Sequence, residues 1–83
     1  MRIYLQLQAS PDQAPKFYQL SLHEDLLDGW NLTREWGYQG NRGSNRHEHF
    51  NSHEEAQTAM LKIRDKQIQN GFRVVFIQGQ EQP

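Results

Sequence analysis

Eighty-three residues leave no room for a second hydrophobic core, and a chain this short buries only about 60–65% of the surface it exposes when unfolded. The absence of cysteine excludes disulfides and thiolate metal sites, and apolar runs of only a few residues exclude a membrane span or secretory signal. A net charge of -1 excludes the broad basic excess of a non-specific nucleic-acid binder, but not a small basic patch. Four Phe, three Tyr and two Trp are too many aromatics for a disordered tail, so one folded domain in the cytoplasm is expected.

The N-terminal segment RIYLQLQ alternates, with Ile3, Leu5 and Leu7 on one face of a strand. Ser10 to Pro15 is a loop, because its prolines deny it a strand ladder. KFYQLSLH alternates again, setting Tyr18, Leu20 and Leu22 against Phe17, Gln19 and Ser21. Asp28-Gly29 predicts a hairpin turn into WNLTREW, where Trp30, Leu32, Arg34 and Trp36 share a face. Arg34 interrupts that apolar face, so either its stem packs while its head reaches solvent, or a bulge shifts the register. A glycine segment follows, then SNRHEHF as a polar fourth strand.

Ser52 with Glu55 three residues later is a capping box, and Gly71 is a helix stop, so a helix runs between them. Ala56, Ala59, Met60 and Ile63 follow helical spacing and should face the sheet, with Leu61 and Ile68 to one side. Lys62 and Lys66, four apart, read as an ordinary solvated helix face. FRVVFI has strand composition and QGQEQP reads as a fraying tail, giving one domain over 1–78 and a flexible end over 79–83. The predicted fold is α+β: a small twisted antiparallel sheet of about five strands, in the order β-β-β-β-α-β, packed on one helix.

The segment EWGYQGNRGSNRHEH carries the chemistry. Its glycines, Gly37, Gly40 and Gly43, are evenly spaced, which fits neither the phosphate loop nor the dinucleotide fingerprint, and no lysine follows Gly43. A hairpin loop whose glycines adopt positive φ fits the same letters. Between Trp36 and His47 the only formal charges are Arg42 and Arg46, whereas Glu24, Asp25 and Asp28 crowd the earlier turn. Only the glycine segment is therefore suited to attract phosphate.

WGYQGNRGS resembles the signature of the WGR domain, with Trp36, Gly37, Gly40 and Gly43 in register, and Tyr38 standing where the family has arginine. KFYQLSL and FNSHEEAQTAMLKIRDKQIQNGF are similar to the flanking strand and helix of that family, so the resemblance covers about Lys16 to Phe72. The resemblance implies a small antiparallel sheet with one helix. It also implies a role like that of the WGR module in nuclear poly(ADP-ribose) polymerases, which sits at DNA breaks and relays contacts between domains. By position, Trp36 would stack on a sugar or base and Gly37 would permit close approach. Tyr38 offers stacking or one hydrogen bond, and Arg42, Arg46 or Arg34 would supply the charge from neighbouring positions.

The expected interface is thus Trp36, Gly37, Tyr38, Arg42 and Arg46, and the expected partner is DNA or another nucleic acid. The alternative is a protein-interaction module that uses the same loop or an exposed sheet edge. His47, His49 and His53 are the nearest approach to a metal set, but nothing completes it and a polar strand face explains them, so no metal or other cofactor is expected. Protonation of these imidazoles would add charge beside Arg46 and is expected to strengthen nucleic-acid binding in mild acid. No activated nucleophile or paired acids are evident, so no catalysis and no small-molecule substrate are expected of this stand-alone module.

Overall fold

The computed structural model describes residues 1–79; residues 80–83, most of the expected tail, lie outside it. Five strands and one helix appear in the expected order: β1 (Arg2–Leu7), β2 (Lys16–Glu24), β3 (Trp30–Tyr38), β4 (Ser44–Phe50), α1 (His53–Gln69) and β5 (Arg73–Gln78). The strands form one antiparallel sheet in the spatial order β4-β3-β2-β1-β5. The first four strands meander, and α1 then carries the chain across one face to seat β5 beside β1.

Alternation decides which face the helix covers. Ile3, Leu5, Tyr18, Leu20, Leu22 and Leu32 share one face and are buried with Ala56 and Met60 of α1. Full burial of a Leu or Met side chain is worth about 1.5–3 kcal/mol, so these residues hold helix to sheet. Ala59, Leu61 and Ile63 flank this core half-buried, and Ile68 is exposed. The opposite face carries a run of parallel rings in which Tyr4 lies between Phe17 (centroids 6.2 Å apart) and Phe76 (5.3 Å).

The register of β2 with β3 is continuous from Lys16↔Tyr38 to Glu24↔Trp30, so no bulge accommodates Arg34. Arg34 is half-buried, and its Nη1 lies 3.5 Å from the Tyr18 hydroxyl, a long hydrogen bond. The Ser52 hydroxyl accepts from the Glu55 N–H at 3.1 Å. The same hydroxyl donates to the Glu55 carboxylate at 3.2 Å, so this carboxylate bonds the capping side chain in place of the cap's backbone N–H. At the other end, Phe72 N–H donates to Gln67 C=O and Gly71 N–H to Ile68 C=O, each at 3.0 Å, with Gly71 at φ 101. This pair of bonds is the Schellman arrangement that ends a helix and turns the chain into the next strand.

Candidate nucleic-acid interface

The loop between β3 and β4 explains why three glycines occur where they do. Asn41 N–H closes a turn onto Tyr38 C=O at 3.2 Å, with Gly40 at φ 85, the left-handed position a type II turn reserves for glycine. Gly43 does not have positive φ, contrary to the expectation that the loop glycines share that conformation. It is required by crowding, since a Cβ there would lie 2.4 Å from the Trp36 carbonyl oxygen. A Cβ on Gly37 would lie 3.0 Å from the Gly43 Cα, so these two glycines let the strand ends approach each other. The loop is also tethered. Gln39 N–H donates to Pro15 C=O at 2.8 Å, and the Gln39 side-chain amide donates to the Tyr4 hydroxyl at 2.6 Å.

Trp36 points to the helix side of the sheet and is half-buried. Its indole stacks on Tyr18 with centroids 5.7 Å apart, and Phe72 meets Tyr18 edge-on. One edge of this cluster opens into a cleft of about 290 Å³, to which Trp36, Gly37 and Tyr38 all contribute. Lys16, Phe17, Tyr18, Gln67 and Phe72 complete its polar and aromatic lining. Lys16 lies opposite Tyr38 in the ladder, and its Nζ sits 5.2 Å from the centre of the Tyr38 ring. A cation over a π face is worth about 0.5–1 kcal/mol at an exposed site and fixes positive charge beside the tyrosine.

Of the residues expected at the interface, Trp36, Gly37 and Tyr38 come together at this cleft. Arg42 is exposed in the adjoining loop, and Arg46 lies further along β4 opposite Arg34. Lys16 is a missed contributor, although its alternation with Tyr18 was legible and only the pairing with Tyr38 was hidden.

The histidines do not converge. His47 bonds the Thr33 hydroxyl at 3.0 Å and His49 the Asp28 carbonyl at 2.7 Å, while His53 packs edge-on against Trp30 at 4.6 Å on the other face. Among the described residues no three metal-ligating side chains cluster. Alternation puts His47 and His49 on the sheet face opposite Arg46. Among the described residues, Asp25 has a displaced pKa. Its carboxylate is held below 3.8 by the Leu27 N–H and then by the Asn31 amide, with a smaller contribution from His49.

The WGR domain family model matches residues 1–76. The chain belongs to the WGR family. WGR domains are binding modules associated with nucleic acid in poly(ADP-ribose) polymerase-like proteins. In this WGR domain the Trp36-Gly37 pair is followed by Tyr38, with the Lys16 ammonium over its ring. Searches of curated proteins and of solved structures gave no significant match. No helix among the described residues is long and apolar enough to cross a membrane.

Proposed function

We propose that this WGR domain is a non-catalytic module that binds nucleic acid weakly, at an end or a single strand. Trp36 and Tyr38 offer surfaces for a sugar or base, Gly37 permits close approach, and Arg42 and Arg46 meet phosphates from the loop and from β4. The observation that carries this reading is the shared cleft of Trp36, Gly37 and Tyr38, with the Lys16 ammonium over the tyrosine ring. Aromatic surfaces beside fixed positive charge suit a stacked nucleotide and its phosphate.

Two or three phosphate contacts predict a shallow salt dependence, about -2 to -3 in log K against log salt. Amide NMR titration with a short nicked duplex tests the reading directly. Shifts are expected at the Trp36 indole and at the Gly37 to Arg46 amides. If these signals stay in place at low salt, the proposal fails.

A protein-binding role is the second reading, and a separate observation favours it. The edge strand β5 leaves Val74, Val75, Phe76 and Ile77 38–52% exposed, whereas the other edge, β4, is polar. An apolar, unpaired edge is suited to accept a partner strand.

A further inference from the structure

Lys62 and Lys66 are exposed on the helix, as their spacing predicts, and they also line a second cleft in the folded chain. This cleft, of about 310 Å³, brings them together with Arg34 and Glu48, and Ala59 and Ile63 supply its apolar part. Arg46 stands on the same side of the sheet, directly opposite Arg34 in the β3–β4 ladder. Directly opposed like charges repel, and here two helix lysines add to them in a chain whose net charge is only -1. The ion pairs among the described residues, His49–Asp25 and Arg64–Asp65, involve none of the four cations. Glu48 is the one carboxylate in the cleft lining.

The second cleft lies beside the first. Gln67 lines both, and the Tyr18 ring that stacks on Trp36 carries the hydroxyl that Arg34 approaches. A guanidinium supplies a planar fork for phosphate oxygens, and the two ammonium groups act as point charges alongside it. An anion held between them would offset their mutual repulsion.

We propose that this cleft is a phosphate-binding site. It takes the backbone phosphates of a strand whose sugar or base lies against Trp36, an assignment of the strand that rests on the nucleic-acid reading above.

The test compares two charge-matched double variants. Lys62→Gln/Lys66→Gln removes the helix cations, and Arg2→Gln/Arg73→Gln removes the same charge from exposed positions on the opposite sheet face. Unchanged far-UV circular dichroism checks that both fold. Binding of a short unphosphorylated single strand is followed by fluorescence anisotropy across a salt series. The lysine variant is expected to lose roughly ten-fold in affinity at low salt and to flatten the salt slope by about 1.4, two single-strand contacts' worth. The arginine variant is expected to change neither. Equal losses from both would reduce the effect to net charge and overturn the site. Binding that neither variant alters would overturn it too, while leaving the loop reading in place.

If the wild-type chain binds no oligonucleotide, the nucleic-acid reading fails and inorganic pyrophosphate decides the cleft by NMR. Shifts of the Arg34 and lysine side-chain signals, lost in the lysine variant, would support a site for phosphate alone. Unmoved signals would overturn it.

Discussion

Arg34 and Arg46 face each other across the β3–β4 ladder, on the side of the sheet that the helix covers. Opposed like charges on neighbouring strands destabilise by about 0.2–1 kcal/mol. Arg46→Glu converts this repulsion into an attraction and is expected to raise the unfolding free energy by up to about 1 kcal/mol at low salt. The gain should shrink as salt screens it, and oligonucleotide affinity should fall in the same variant. Urea melts at low and high salt, beside a binding curve, check both outcomes.

Gly43 and Gly40 occupy one loop for different reasons, and alanine substitutions separate them. Gly43→Ala drives a Cβ to within 2.4 Å of the Trp36 carbonyl oxygen, so backbone must move. Its expected cost is about 2–3 kcal/mol, in the range of overpacking. Gly40→Ala meets open space and bears only the left-handed φ of 85, for about 1 kcal/mol. Denaturation midpoints should rank wild type above Gly40→Ala, and Gly40→Ala above Gly43→Ala. The reverse order would refute the crowding account.

Tyr38→Arg restores the residue that names the family at the edge of the Trp36 cleft. One added phosphate contact should steepen the salt slope by about 0.9 on duplex and raise affinity several-fold at low salt. The same change removes the ring beneath Lys16 and sets two cations opposite each other in the ladder. A stability loss of about 0.5–1 kcal/mol is therefore expected beside the gain in binding. Calorimetry and anisotropy on one preparation distinguish the two effects.

Asp25 is expected to make stability depend on pH in acid. Its carboxylate accepts the Leu27 N–H at 2.9 Å and the Asn31 amide at 3.1 Å, which hold its pKa below the ordinary 3.8. A depressed native pKa means that the unfolded chain binds the proton more readily. The contribution is therefore present above pH 3.8 and lost as pH falls through the lower native value. The stability gap between wild type and Asp25→Asn should be widest near neutrality and narrow in acid. A gap that is constant with pH would contradict this assignment.

Several elements were legible because their signals are local. Ile3 and Leu5, like Tyr18, Leu20 and Leu22, alternate at the period that puts them on one strand face, and all are buried. Ser52, Glu55 and Gly71 mark the helix through groups within a turn of each end. Arg34 was legible only as a choice, and an unbroken register ruled out the bulge.

The candidate site divides along the same line. Composition, alternation and capping determined, from the chain alone, an α+β domain with a Trp-Gly loop and a helix carrying Lys62 and Lys66. Only tertiary structure decided that Lys16 sits over Tyr38, that Gly37 and Gly43 nearly touch, and that the helix lysines share a cleft with Arg34. Each of these relations joins residues on different elements. Strand register and the path of α1 across the sheet set them, and both depend on burying a common core rather than on local preference.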